Sequence, residues 1–215
     1  MTKLASLLMA LALSMIAAAP AVYAASGGLR EGIDYVPVVP AQPQSQPGIE
    51  VVEFFSYGCP HCNDFEPVIS KWRSALPKDV HFRRIPISFG RAQWAVLAKV
   101  YLAIETTGDL AKLHSELFSA IHVRKLPFAD EKSILDWVAA RVADPKKFTA
   151  TYRSFGVQAM AKSADQAGSD FGISGVPSIG VGGRYLVVAK DATSYEGLLR
   201  VADRVIDMAR KSPVK

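Results

Sequence analysis

The sequence predicts an α/β fold in which a run of helices interrupts a sheet. Three observations carry that expectation. Residues 49–55 and 80–87 are short apolar runs separated by a helix-spaced stretch, the order of a strand, helix, strand crossover with parallel strands. Residues 92–171 then carry apolar side chains at helical spacing with no strand between them. Strand patterns return at 173–181 and 185–189 on either side of Gly182-Gly183, a hairpin signal.

The chain has 215 residues, 50% of them hydrophobic and 21% charged, enough for one well-filled core or one domain carrying a large insertion. Residues 1–24 read as a secretory signal peptide, with Lys3 at the charged start, an apolar stretch, and Val22-Tyr23-Ala24 as the small-residue site before cleavage. A membrane anchor is the alternative, and the apolar stretch is short for one. Cleavage after Ala24 would leave 191 of the 215 residues and, with Lys3 gone, lower the formal net charge from +5 to +4. A bacterial-type signal points to the periplasm, where paired cysteines can stay oxidised. The basic residues are scattered, so a sequence pI near 9.2 does not argue for nucleic-acid binding.

Residues 25–48 form a Pro-rich lead: Pro37, Pro40, Pro43 and Pro47 exclude a helix, and 34–39 suit a short edge strand. Both faces of 49–55 are largely apolar, which predicts a central strand, and Glu53 inside it is unusual. Ser56-Tyr57-Gly58 then leads into Cys59-Pro60-His61-Cys62, followed by Phe65, Val68, Ile69 and Trp72 on one helical stripe. Proline at a first helical position is favoured, so Cys59 falls at the N-cap. With the strand at 80–87, this is half of a thioredoxin-like sheet. Three apolar stripes follow, on Trp94 to Tyr101, on Leu110 to Ile121, and on Ile134, Leu135, Val138 and Val142. Asp130 and Asp144-Pro145 read as helix starts, and a last helix is expected over about 157–167. The closing helix opens with Thr193-Ser194-Tyr195-Glu196, read as a capping box. The expected organisation is a thioredoxin-like domain from 49–90 and 172–215, with a helical domain, 91–171, inserted between its halves.

The chemistry concentrates in the only two cysteines, Cys59 and Cys62. Three residues apart at a helix start, they share one face with β-carbons about 5 to 6 Å apart, within easy adjustment of a disulfide. Cys59 at the cap faces free backbone N–H groups, whereas Cys62 lies one turn inside. Cys59 is therefore expected to be the lower-pKa attacking thiolate and Cys62 the resolving thiol, with His61 adding donor or positive character between them. A stabilised thiolate favours the reduced form and makes the disulfide the stronger oxidant. A purely structural disulfide would close too short a ring to restrain much chain. A zinc site lacks ligands: there is no second CxxC and no HxxxH, and His81, His114 and His122 read as ordinary surface or core-edge residues, so no metal is expected.

The stretch Glu53 to Cys62, the helical block and Gly175-Val176-Pro177 together resemble the periplasmic thiol:disulfide interchange proteins of the DsbA type, over almost the whole mature chain. That resemblance implies a dithiol oxidase acting through the Cys59–Cys62 disulfide with no cofactor. It implies catalytic roles for Cys59, Cys62, His61 and Pro60, and a cis Val176–Pro177 bond beside the disulfide whose Val176 main chain receives extended polypeptide. Its implied partners are reduced exported polypeptides and a quinone-linked inner-membrane reoxidant of the DsbB type, and the protein is expected to be a monomer. Glu53 could relay protons to or from Cys62 if buried, or be a solvated edge residue; Glu66 and Arg84 match the family's accompanying charged positions and are expected to temper its pKa. Asn63-Asp64 is more polar, and Tyr57-Gly58 smaller, than some members carry, which bears on partner affinity. Two other readings stand beside this one: a periplasmic reductase or isomerase on the same fold, and a chaperone-like binding module with incidental cysteines.

Overall fold

A computed structural model describes residues 28–212; the expected signal peptide lies outside them. A five-stranded sheet runs in the order β1-β5-β4-β2-β3, with β1 Tyr35–Pro37, β2 Ile49–Phe55, β3 Val80–Pro86, β4 Ser178–Val181 and β5 Tyr185–Val187. β2 and β3 are parallel, joined through α1 (Pro60–Ser74), and β4 pairs antiparallel with both β2 and β5. As its two apolar faces predict, β2 is central and buried from Glu50 to Phe55.

Alternation along β2 assigns the layers. Val52 and Phe54 face a core closed by Ala164 of α6 (Phe155–Asp170) and by Phe171, whose ring lies 5.0 Å from that of Phe54. Val51 packs on the opposite face with Phe65 and Ile69 of α1 and with Leu199, Ala202, Val205 and Ile206 of α7 (Tyr195–Lys211). Phe55, on that second face, reaches a third core built by helices between β3 and β4: α2 Ala92–Thr107, α3 Leu110–Phe118, α4 Glu131–Ala139 and α5 Pro145–Arg153. α3 runs on into a π-helical turn, Ser119–Val123. Cys59 and Cys62 belong to this third core, so the start of α1 sits where sheet and helical layer meet.

Several boundaries differ from the expected ones. β4 begins at Ser178 rather than near Ile173, since Pro177 has no N–H to extend the ladder. β5 ends at Val187, and Ala189 turns out of the strand at φ +41°. The hairpin turn itself is as read: Gly182 and Gly183 both have positive φ, and the Arg184 N–H donates to the Val181 carbonyl at 3.1 Å. The α7 cap is Ser194, not Thr193: its hydroxyl accepts from the Gly197 N–H, which puts Glu196 too early to close a box. The reciprocal box occurs instead at α4, between Asp130 and Ser133. Val142 lies beyond the end of α4, buried in the turn before α5. The bonds before Pro40 and Pro177 are both cis.

Gly180 in β4 leaves room for Phe171, since a β-carbon there would lie 2.5 Å from that ring. Gly180→Ala should therefore push Phe171 off Phe54 and lower stability by about 1–3 kcal/mol in urea denaturation. An unchanged midpoint would mean that Phe171 does not lock α6 to the sheet.

Candidate active site

The first turn of α1 is built as the Cys-Pro pair dictates. Cys59 is the N-cap in extended backbone (φ −95°, ψ 118°), Pro60 occupies the first turn, and the Cys59 carbonyl accepts from the N–H groups of Cys62 and Asn63. Both cysteines are thiols, Cys59 5% exposed and Cys62 fully buried. The Cys59 thiol donates to the Val176 carbonyl at 3.3 Å, which brings the loop before β4 against the helix tip. Val176 and Pro177 are half-buried, and His61 and Pro60 are exposed. The His61 carbonyl accepts from the Tyr195 hydroxyl of α7 at 3.1 Å, fastening this turn from the other side.

The two sulfurs are electrostatically unequal. A hydrogen bond from the Cys62 thiol, then backbone N–H groups of Cys62 and His61 and the charge of His61, outweigh burial and bring the Cys59 pKa down to about 6. Burial, and then the neighbouring Cys59, push Cys62 far above the ordinary thiol range. The backbone donors are the local form of the helix dipole that the sequence suggested, but the largest favourable contribution comes from Cys62 itself.

Gly58, just before the pair, carries a specific packing demand. A β-carbon there would lie 2.4 Å from Nε1 of Trp94, and Arg91 lies over the Trp94 ring at 4.6 Å. The small residue at 58 is what lets α2 approach the active turn.

Beneath this turn lies a buried polar chain. The register that pairs β2 with β3 sets Glu53 opposite Arg84, and the Arg84 Nε donates to Glu53 at 2.7 Å while its Nη2 donates to Glu66 of α1 at 2.7 Å. Glu66 also accepts from Ser70 at 2.6 Å, from Ser115 at 3.2 Å and from Nε2 of His114 at 3.1 Å. Nδ1 of His114 meets the Tyr57 hydroxyl at 2.8 Å, and Nε2 of His122 donates to the Tyr57 carbonyl at 2.7 Å. Glu53, Arg84, Glu66, His114 and Tyr57 are all buried.

One guanidinium thus serves two carboxylates, and they respond differently. Burial raises Glu53 to about 7 against the opposing pull of Arg84. Burial also acts to raise Glu66, but the hydrogen bond and electrostatic pull of His114, then the charge of Arg84 and the Ser70 hydrogen bond, hold it down at about 2. Glu53 is therefore not a solvated edge residue, and Glu66 does not temper its pKa: the Glu66 charge pushes it up, and Arg84 alone of the two lowers it. His114 is likewise buried rather than a surface or core-edge residue, and His122, half-buried at the core edge as expected, joins it in holding Tyr57. Sequence reading missed Tyr57, His114, His122 and Trp94. The available signal was His114 itself, a polar ring among Leu110, Leu113 and Leu117 that needs a partner if buried.

In the reduced protein, alkylation by iodoacetamide should follow a single ionisation midpoint near pH 6, all of it at Cys59 by peptide mapping, with Cys62 unmodified up to pH 9. Equal labelling of both cysteines, or a midpoint above pH 8, would contradict the asymmetry.

Residues 50–201 match the family described as DSBA-like thioredoxin domain. The chain is 38% identical over 185 residues to the thiol:disulfide interchange protein DsbA of Pseudomonas aeruginosa, covering 86% of this chain and 87% of that one. It is 36% identical over 179 residues to DsbA of Bordetella pertussis, covering 82% and 85%. The crystal structure of Pseudomonas aeruginosa DsbA superposes with a TM-score of 0.78 at 37% identity, over 84% of this chain and 94% of the other. That of the oxidoreductase DsbA from Xylella fastidiosa does so at 0.77 and 31%, over 86% and 99%. With this family match and these identities over most of its length, the chain belongs to the DsbA-like thioredoxin family, and the cysteine pair at the start of α1 is that of a thiol:disulfide oxidoreductase.

Proposed function

We propose that the protein is a periplasmic dithiol oxidase that passes its Cys59–Cys62 disulfide to reduced, newly exported polypeptides. The observation that carries this reading is the unequal pair: Cys59 as a stabilised thiolate at a helix start, Cys62 buried and hard to ionise. A substrate thiolate attacks Sγ of Cys59, the Cys59–Cys62 bond breaks, and the electron pair goes to Cys62. Because a Cys62 thiolate is disfavoured by burial, this leaving group needs a proton, and Glu53 is the buried acid whose charge acts on it. A second substrate thiolate then attacks the substrate sulfur of the mixed disulfide, and Cys59 departs as the stable thiolate. The substrate loses two electrons and the protein gains them.

The remaining residues support this sequence of events. Pro60 starts the helix, His61 stabilises the Cys59 thiolate, and Arg84 and Glu66 set the charge around Glu53. The Val176 main chain, held against Cys59 ahead of Pro177, suits an extended polypeptide added alongside the loop without side-chain selection. Working through its own cysteines, the protein needs no other cofactor for the exchange. The reduced pair is returned to the disulfide by a quinone-linked inner-membrane partner of the DsbB type. We take the protein to act as a monomer exported by residues 1–24, with 49–90 and 172–215 as the thioredoxin-like domain and 91–171 as the inserted one.

Equilibration with glutathione at pH 7 should leave the pair mostly reduced under conditions that oxidise an ordinary cysteine pair. A pair more reducing than glutathione would overturn the oxidase reading in favour of a reductase or isomerase. Cys59→Ala and Cys62→Ala should each abolish dithiol oxidation, since either leaves no disulfide to donate; activity surviving Cys59→Ala would favour a chaperone-like module. Glu53→Gln should slow oxidation and flatten its dependence on pH between 6 and 8, and an unaltered profile would remove Glu53 from the proton transfer.

A further inference from the structure

The polar chain behind the cysteines runs further than its charged members, and its far end has a chemical consequence. Among the described residues Glu66 accepts four hydrogen bonds, from Arg84, His114, Ser70 and Ser115, while Glu53 accepts one, from Arg84. With one guanidinium between two buried carboxylates, the cluster is neutral only when one carboxyl carries a proton. The carboxylate with fewer donors is the one that takes it.

His114 decides which one that is. A carboxylate only accepts, so Nε2 must carry the hydrogen that reaches Glu66; Nδ1 then accepts from the Tyr57 hydroxyl, and every polar atom of the pair is satisfied by a neutral ring. Burial, and then the charge of Arg84, lower the His114 pKa against the opposing pull of Glu66, and so favour the same neutral state. The arrangement is held in place at Tyr57, whose hydroxyl is taken by His114 and whose carbonyl is taken by His122. On an ideal α-helix, residues eight apart point about 80° away from each other around the axis. The π-helical turn at Ser119–Val123 widens the helix by one residue per turn and takes up much of that angle, so both histidines reach one tyrosine.

We propose that His114 is a positioning residue of the exchange reaction, holding Glu66 as the permanent anion of the buried pair so that its single mobile proton resides on Glu53, the carboxylate acting on Cys62. The other charged and titratable groups facing the pair are Tyr57 ahead of α1, Arg73 and Cys62 on α1, Arg84 on β3, and Tyr101 on α2, whose hydroxyl donates to Glu105. None of them donates to Glu66 apart from Arg84, which is shared with Glu53. The inference rests on the oxidase reading only for the use made of the proton; where the proton sits is a property of the fold.

Carboxyl-carbon NMR titration of the reduced full-length mature protein reads that location directly. The unmodified protein should show Glu53 titrating near neutral pH and Glu66 ionised down to pH 4. In His114→Phe, Glu66 should titrate at least one pH unit higher and Glu53 correspondingly lower, and the pH dependence of the glutathione equilibrium should move with them. His114→Gln, which can donate to Glu66 and accept from Tyr57, should restore both. Unchanged carboxyl titrations in a folded His114→Phe protein, or failure of Gln to restore them, would overturn the proposal. If the Phe variant does not fold, nitrogen NMR of the unmodified protein decides: a neutral His114 with hydrogen on Nε2 from pH 5 to 8 supports it, and an imidazolium or an Nδ1–H tautomer there overturns it. A normal titration pattern in a protein that fails to oxidise dithiols would count against the oxidase reading and not against His114.

Discussion

The structure is organised around keeping one sulfur ionised and its neighbour not. Cys59 caps α1 where backbone N–H groups and the Cys62 thiol converge, and Cys62, three residues on, is sealed from water. The asymmetry requires both a free helix start and a buried first turn. The helix start follows from Pro60, and the burial comes from the core shared with the inserted helices, whose π-helical turn packs on α1. Without the helices between β3 and β4, Cys62 would lose the packing that separates the two thiols.

Burial brings a second problem, because the same layer encloses two carboxylates with one arginine. Such a cluster is unfavourable as a set of bare charges, since desolvation of each ion exceeds what a single partner returns. The fold lessens this by surrounding Glu66 with neutral donors from α1 and α3 and by letting Glu53 carry a proton near neutral pH. The same compromise places an acid with an ionisation close to pH 7 behind a thiol that must be protonated when it leaves.

The parts of this arrangement that depend on local sequence were legible before any coordinates. Pro60 after Cys59 places the cap, and the two apolar faces of residues 49–55 place β2 in the middle of the sheet with Glu53 inside it. What was not legible depends on contacts between distant segments. Tyr57 and His114 are 57 residues apart, and nothing in either neighbourhood says that they meet. The π-helical turn leaves no signature in apolar spacing, so His122 read as an ordinary surface or core-edge residue. The effect of Glu66 on Glu53 was misjudged because its sign depends on which carboxylate Arg84 and the neutral donors favour, a matter of geometry. Ser194 displaced Thr193 as a cap for a similar reason, both being competent and only one lying at the helix start.

The central claim, that the fold stabilises the thiolate of Cys59 and therefore the reduced protein, is tested most directly by comparing the unfolding free energies of the dithiol and disulfide forms as a function of pH. A thiol whose native pKa is depressed adds stability that is fully present above its ordinary value of 9.0 and is lost as pH falls through about 6. The dithiol form should therefore be the more stable one at pH 8, with the gap shrinking toward pH 5. A disulfide form that is more stable at both pH values, as an ordinary structural cross-link would make it, or a gap that does not change with pH, would contradict the account.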